Sequence, residues 1–322
     1  MKKVLFIVVC CLATYSYSQQ MPQYSQYLRN QFMINPGAAG VYDFSDITIG
    51  GRIQWAGFNN APKTTYISFS TPLNTGPKRV KYNPGLLMSS GHAKNPEIKT
   101  GKLKHAIGSQ LVADEYGAFR KIQFSGTYAL HIPINRSYNI SFGTKLGVTN
   151  HTFIKDRAVV ANYETDNTYS NFTSSQTNVG TMDIGAGLYL YSRKLFLGIG
   201  ADQLTGDMIK FGSGTANFDP RAHFTVTGGY KISAGKDFSI TPAFLLKYMN
   251  PIVPTIESSV QFEYAEWLWV AASYRHKDAL IGMAGLTISN RFKFGYSYDF
   301  SLSKFSTYSS GGHEIILGIM LR

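Results

Sequence analysis

Residues 121–132 read Lys-Ile-Gln-Phe-Ser-Gly-Thr-Tyr-Ala-Leu-His-Ile. In an extended chain, side chains two apart share a face. Ile122, Phe124, Tyr128, Leu130 and Ile132 therefore lie on one side, and Lys121, Gln123, Ser125, Thr127 and His131 on the other. The pattern recurs over residues 138–149, where Tyr138, Ile140, Phe142, Leu146 and Val148 oppose Asn139, Ser141, Lys145 and Thr149. It recurs again where Phe292, Phe294, Tyr296, Tyr298 and Phe300 oppose Lys293, Ser297 and Asp299. From about Asp46 onward the whole chain keeps this rhythm, and the reading is all-β.

The charges sort with the alternation. Lys121, Lys145, Asp183, Asp202, Lys231, Lys247, Glu257, Glu263, Lys293, Asp299 and Glu314 all fall opposite the apolar set. One face of the sheet is thus free of ions. A lysine or arginine facing lipid at mid-bilayer costs about 2–4 kcal/mol, and such a penalty selects a charge-free face. A soluble sandwich also alternates, but three features favour a transmembrane antiparallel β-barrel. The polar face is rich in Gly, Ser, Thr and Asn. Tyr138, Tyr230, Tyr248, Tyr264 and Tyr298 sit near segment ends, as in an aromatic girdle. The segments run about 9–12 residues, enough for a tilted strand to cross a bilayer.

Fourteen segments are expected, starting near Asp46, Thr64, His105, Lys121, Tyr138, Thr181, Lys194, Ala222, Phe238, Ile256, Leu268, Ala279, Arg291 and His313. An even number suits closure with both termini at the periplasmic end. Connections after odd strands then face outward, among them the long residues 153–180, 204–221 and 301–312, while most of those after even strands are tight. Residues 73–104 depart from this asymmetry and read as a basic periplasmic connection. Ahead of the barrel, residues 19–45 form an arm. Tyr24, Tyr27, Leu28 and Phe32 approach helical spacing, and Asn35-Pro36-Gly37 stops a short helix. Such an arm either plugs the lumen, lies beneath it, or packs without a partner.

Composition agrees with an exported membrane protein. The 322 residues are 44% apolar and only 16% charged, with 21 Tyr and 21 Phe, against about 25% charged in an average soluble domain. This excludes a disordered tail, a collagen-like repeat and a disulfide-framework mini-protein. No run of about 18 apolar residues is present, so no helix is expected to span a bilayer. Residues 1–18 read as a signal peptide, with Lys2 and Lys3 before an apolar run and small Ser16 and Ser18 before Gln19. Cys10 and Cys11 fall inside it, so the mature chain is expected to lack cysteine. The formal charge of +12 suggests nucleic acid, but export argues against such a partner. The basic residues crowd into residues 76–105, where Lys78, Arg79, Lys81, Lys94, Lys99, Lys102 and Lys104 face only Glu97. That run is either a solvated loop or a docking surface for an acidic partner or for lipid headgroups.

Catalytic signatures are missing. There is no nucleophile elbow, zincin motif, P-loop or dinucleotide fingerprint. The seven histidines are scattered with no pair at i, i+4, so no metal or cofactor is expected. Asp183, Glu257, Glu263 and Glu314 are expected to pair with Lys145, Lys247 and Lys293 inside the lumen. A Ser/His site assembled across strands is a third, enzymatic reading that spacing alone leaves open.

Specific residues at both ends resemble a known family. Gln23-Tyr24-Ser25-Gln26-Tyr27, then Ile34-Asn35-Pro36-Gly37-Ala38-Ala39-Gly40, is similar to the opening of the PorP/SprF proteins, outer-membrane components of the type IX secretion system of Bacteroidetes. Arg52-Ile53-Gln54-Trp55 with Ala61-Pro62-Lys63-Thr64 resembles the family's first hairpin. Tyr296-Ser297-Tyr298-Asp299 with Gly312-His313-Glu314 resembles its last. Two departures are the length of residues 73–104 and the terminal Arg322, where many barrels carry an aromatic residue.

The resemblance implies support for export and surface anchoring of a large secreted adhesin or gliding protein of the type B signal class, by binding and not catalysis. The SprF branch is tied to gliding adhesins, the PorP branch to the periplasmic ring. It makes Asn35, Pro36, Ala39, Gly40, Trp55, Tyr296, Tyr298, Asp299, His313 and Glu314 signature positions. Candidate periplasmic contacts are Lys78, Arg79 and Lys81. Candidate extracellular cargo contacts are Tyr163, Tyr169, Phe172, Phe211, Phe218, Phe305 and Tyr308, which an interfacial aromatic belt would explain equally. Expected partners are the adhesin's C-terminal domain, ring components and outer-membrane lipid. The rival reading is a passive or ligand-selective channel, similar in architecture to fourteen-strand fatty-acid transporters.

Overall fold

The computed structural model describes residues 22–73, 103–160, 163, 166, 169–170, 178–206, 210–211, 221–249, 252–289, 291–303, 307 and 309–321. Fourteen antiparallel strands form one closed barrel. They are β1 (Ser45–Ile53), β2 (Lys63–Pro72), β3 (Lys104–Tyr116), β4 (Phe119–Pro133), β5 (Asn139–Phe153), β6 (Asn178–Tyr191) and β7 (Leu195–Asp202). There follow β8 (His223–Tyr230, resuming as Ile232–Ala234), β9 (Phe238–Met249), β10 (Ile252–Tyr264), β11 (Leu268–Arg275), β12 (Ala279–Ile288), β13 (Phe292–Ser301) and β14 (Gly312–Leu321). The break in β8 lies opposite Pro242 of β9, between the Gly229–Ala243 and Ile232–Ile240 pairs. Proline has no N–H to donate to the ladder. A two-residue bridge, Lys210–Phe211, adds to β6.

Closure comes from β1 pairing with β14, from Ser45 opposite Leu321 to Ile53 opposite His313. The strand starts lie within four residues of those read from the alternation. Ile122, Phe124, Tyr128, Phe142, Leu146, Phe294 and Phe300 are exposed on the outer wall. So are all five girdle tyrosines. Lys145, Asp183, Asp202, Glu257, Arg275, Lys293, Asp299 and Glu314 are buried on the inner wall.

One end carries the long residues 54–62, 154–177, 203–222 and 302–311 with the short 117–118, 250–251 and 276–278; the other carries the tight residues 134–138, 192–194, 235–237, 265–267 and 289–291, with residues 73–103 the one long exception. At the tight end Ala265 and Glu266 both hold positive φ, the geometry of a two-residue hairpin turn whose twist matches the strands. Long connections belong outside and tight ones in the periplasm, so the end with residues 54–62 is the outer mouth.

The arm, Pro22 to Phe44, lies in the lumen and is almost wholly buried. It folds as three 3-10 turns, Tyr27–Arg29, Gln31–Met33 and Pro36–Ala38, where the sequence suggested one short helix. The barrel itself begins at Ser45 and ends at Leu321 side by side at the periplasmic end, as expected of an even strand count, while the arm runs down the lumen toward Ser45 from the mouth. Pro22 is at the mouth, where its carbonyl accepts Lys247 Nζ of β9 at 3.3 Å. The chain then descends: Asn30 donates to Ser68, Gln110 donates to the Phe32 carbonyl, and Ala39 contacts His131. At the far end Asp43 pairs with Lys104, just before β1 begins. Lys104 is therefore an anchor of the arm and opens β3, although the sequence placed it at the end of the basic connection. Residues 1–18, read from the sequence as a signal peptide, and most of that connection, with Lys78, Arg79 and Lys81, lie outside the described residues.

The orientation is testable by thiol labelling, because residues 12–322 contain no cysteine. Asn59→Cys is expected to react with an impermeant maleimide on intact cells. Arg136→Cys and Lys236→Cys are expected to react only after the outer membrane is opened. The reverse pattern would invert the barrel.

Candidate functional site: the locked lumen

The site begins with a serine and two arginines. Ser25 sits in the upper lumen with its backbone N–H on Glu314 Oε2 at 2.7 Å. Its hydroxyl donates to Asp299, with the two carboxylate oxygens at 2.9 and 3.0 Å. Arg52 NH1 donates to Ser25 Oγ at 2.6 Å and NH2 to Asp299 Oδ2 at 2.8 Å, while NH1 lies 3.6 Å from Glu314. Arg275 reaches Glu257 at 2.9 Å, Asp278 at 3.1 Å and Asp299 at 3.3 Å. Strand parity explains the convergence. Arg52 shares a face with Thr48 and Gly50 of β1, Arg275 with Ser273 of β11, and Asp299 and Glu314 face inward from neighbouring β13 and β14. Lys247 adds a third cation, 5.7 Å above the Tyr24 ring. Tyr24 in turn packs edge-on against Tyr66, whose hydroxyl donates to Glu314 at 3.5 Å.

Lower down, other pairs fasten the wall. Lys293 pairs with Asp46 at 2.7 Å, Lys231 with Glu263 at 3.4 Å, and Lys145 with Asp202. Arg29 of the arm lies 3.9 Å from Glu263 and over the Trp269 ring. The expected partnerships of Lys145, Lys247 and Lys293 with Asp183, Glu257, Glu263 and Glu314 are thus corrected. Glu257 and Glu314 are held by arginines, and Asp183 accepts from Thr149 and Gln123. Arginine's fork meets several acceptors at once, whereas lysine is a point charge. Arg52 and Arg275 were missing from the set of lumen charges, although the period-2 parity places both there.

The signature positions separate into four places. Asn35 accepts from Gly37 N at 2.8 Å and donates to the Leu188 carbonyl at 3.0 Å, shaping the turn that Pro36 opens. Pro36 rests on Gly143 and Asn35 on Gly187, where a Cβ on either glycine would overlap the arm. Ala39 is fully buried and its carbonyl contacts His131 Nε2 at 2.8 Å. Gly40 adopts φ +66° against Ala106, a conformation and a space that suit glycine. Asp299 and Glu314 belong to the lock. Tyr296, Tyr298 and His313 sit on the outer side of β13 and β14, with Tyr296 Oη and His313 Nδ1 2.8 Å apart. Trp55 lies at the mouth.

Of the candidate cargo aromatics, Tyr163 is exposed and packs edge-on against Tyr169 at 5.2 Å. The Phe211 backbone pairs with Gly180. Phe172, Phe218, Phe305 and Tyr308 lie outside the described residues. Among the described residues no group of three His, Cys, Asp or Glu is placed to hold a metal.

A closed barrel with a greasy exterior, ionic lumen and internal arm defines an outer-membrane protein. The chain belongs to the PorP/SprF family of type IX secretion system membrane proteins, whose profile matches residues 16–319. No curated protein compared with the chain matches it. Among solved structures it is similar to the toluene transporter TbuX of Ralstonia pickettii, with TM-score 0.52, 10% identity, and 90% of this chain and 92% of that one covered. The P. putida toluene transporter TodX gives TM-score 0.49 and 9% identity over 89% and 92%. Omp33 of Acinetobacter baumannii gives 0.46 and 8% over 87% and 99%. TbuX shares the barrel fold.

The lock makes a quantitative prediction. Asp299→Leu leaves Arg52 and Arg275 short of a buried partner and is expected to cost about 3–5 kcal/mol. Arg52→Met combined with Asp299→Leu is expected to cost clearly less than the two single changes together, because the stranded charge is gone. Denaturant unfolding of the refolded barrel reads both. Gly187→Val is expected to displace the arm at Asn35 while the barrel still closes, seen as protease cleavage within the arm.

Proposed function

We propose that this PorP/SprF protein supports export and surface anchoring of a large secreted adhesin or gliding protein, acting by binding and not by catalysis. Its partners on this reading are the adhesin's C-terminal domain, the periplasmic ring of the secretion apparatus, or both. Family membership supplies the secretion system. The observation that carries the binding role is the occupied lumen: the chain's own arm runs its length and is tied to the wall at Asp299, Glu314, Glu263 and Lys104. A barrel filled this way is suited to present its two ends to partners, not to pass a folded protein. The lumen carboxylates are engaged by arginine, serine and lysine, which speaks for a structural use of these groups.

On this reading residues 153–180, with the exposed Tyr163 and the half-buried Tyr169, form part of the cargo face. Lys78, Arg79 and Lys81 form the periplasmic face. The rival reading, a ligand-selective channel, draws on the fold shared with TbuX and requires the arm to leave the lumen.

Affinity purification from native envelopes, paired with planar-bilayer recording, separates the two. The binding role expects a silent barrel that carries a type IX cargo protein. Steady conductance without cargo would favour the channel. Reversing Lys78, Arg79 and Lys81 to Glu is expected to weaken capture of ring components, and deleting residues 154–177, the part of that connection outside β5 and β6, to reduce adhesin display while barrel assembly persists. Unchanged capture and display would reject both assignments.

A further inference from the structure

On the outer wall, ions stand in one place. Lys63 of β2 lies opposite Glu115 of β3, and Glu115 opposite Arg120 of β4, in a single row across three neighbouring strands. Among the described residues of the fourteen strands, no other outward position carries Lys, Arg, Asp or Glu. Arg157 joins the row from the turn after β5, which Ile154 N fastens to the β3–β4 hairpin through the Ala118 carbonyl at 2.8 Å. Glu115 positions both arginines: Arg120 Nε donates to Oε1 at 2.7 Å and Arg157 Nη1 to Oε2 at 2.9 Å. A guanidinium has five N–H donors, so this contact leaves most of each fork for another acceptor. The two arginine side chains are 40% and 34% exposed, and Lys63 is exposed beside them.

Position and charge restrict what fits. The row stands at the mouth ends of its strands, which places it at the headgroup level of the outer leaflet. Four residues further along the same face, Ile67, Leu111, Phe124 and Val148 lie in register, all exposed. At about 3.3 Å per residue this apolar row is roughly 13 Å along the strands from the cations, at acyl-chain depth. A soluble acidic protein would have to enter the membrane to reach such a site, whereas an anionic amphiphile meets both surfaces at once. Lys63, Arg120 and Arg157 outnumber Glu115 by two formal charges. A phosphomonoester carries about −1.5 to −2 at pH 7, and a phosphodiester only a single charge. Arginine forks match phosphate oxygens with paired N–H donors.

We propose that Lys63, Arg120 and Arg157 bind the phosphate of an outer-leaflet phosphoglycolipid of the lipid A type, whose acyl chains lie on the wall at Ile67, Leu111, Phe124 and Val148. Glu115 is the positioning residue that sets the two forks. This goes beyond the secretion role and does not depend on it.

The test reconstitutes the full mature chain in phosphatidylcholine nanodiscs doped with lipid A, with lipid A stripped of its phosphates, or with phosphatidylglycerol. Native mass spectrometry reads the lipid that stays on the released protein. The expected result is saturable retention of lipid A, with both other lipids held about tenfold less or weaker. Glu115→Gln, Arg120→Gln and Arg157→Gln introduced together remove both forks without stranding the carboxylate, and are expected to weaken retention of lipid A about tenfold or more. Arg136→Gln, which removes a cation at the periplasmic end, is expected to leave it unchanged. Heat-modifiable gel mobility confirms that each variant has folded, and the comparison of the three lipids needs no variant. Retention of dephosphorylated lipid A or phosphatidylglycerol equal to that of lipid A overturns the proposal. So does undiminished retention by the triple variant, or an equal loss with Arg136→Gln.

Discussion

The bilayer interior offers backbone N–H and C=O groups no partner, and everything else in this molecule follows from that. Each unpaired group would cost several kcal/mol in hydrocarbon, so a sheet that enters the membrane must close on itself. Here closure is made by β1 against β14, nine residue pairs from Ser45–Leu321 to Ile53–His313. Once closed, the outer wall can bear no ions at bilayer depth: most strand charges turn inward, and Lys63, Glu115 and Arg120, which share the outward parity, are aligned at the mouth ends of β2, β3 and β4. The lumen then faces a second problem. Arg52, Arg275, Asp299 and Glu314 are brought together and buried, and a buried ion without a partner is more expensive than an absent one. The arm addresses this by sending Ser25 into their midst, where one residue supplies a backbone donor to Glu314 and a hydroxyl shared by Asp299 and both arginines.

The wall is cut to receive the arm. Lumen-facing glycines are weak strand formers, and their presence inside strands usually marks the close approach of another backbone. Gly143 and Gly187 lie under Pro36 and Asn35, and Gly108 under Phe32. The polar, glycine-rich inner face is therefore shaped to the arm that lies on it. It is the negative of a specific peptide, and the two surfaces fix each other's register.

How much of this was legible follows from which forces act locally. Period 2 is enforced at every residue by lipid on one side, so strand number, starts and facing could be read along residues 121–132 and their counterparts. The partnerships inside the lumen are set by which strands lie across the cylinder, at sequence separations such as Arg52 to Asp299. No local pattern encodes those, so lysines were assigned to carboxylates that arginines hold. The arm shows the same limit. Its apolar spacing suggested a helix, but Asn30 and Asn35 donate to the wall, and the Asn35–Gly37 turn with Pro36 breaks the arm into 3-10 turns.

That direction of travel gives the arm a mechanical role distinct from filling space. It is covalently continuous with β1, the strand that closes the barrel, and its upper end lies at the mouth. Just below it, Ser25 is bonded to the inner faces of β13 and β14 at Asp299 and Glu314. The lower end, through Asp43 and Lys104, is tied to β3, next to the residues that lead into the basic connection. Two partners at opposite faces of the membrane would thus act on one peptide held along its length by ion pairs and hydrogen bonds. Such contacts are discrete, each made or broken. Communication along the arm would therefore take the form of switching one anchor, with the Ser25 cluster the most heavily bonded and the Asp43–Lys104 pair the most exposed.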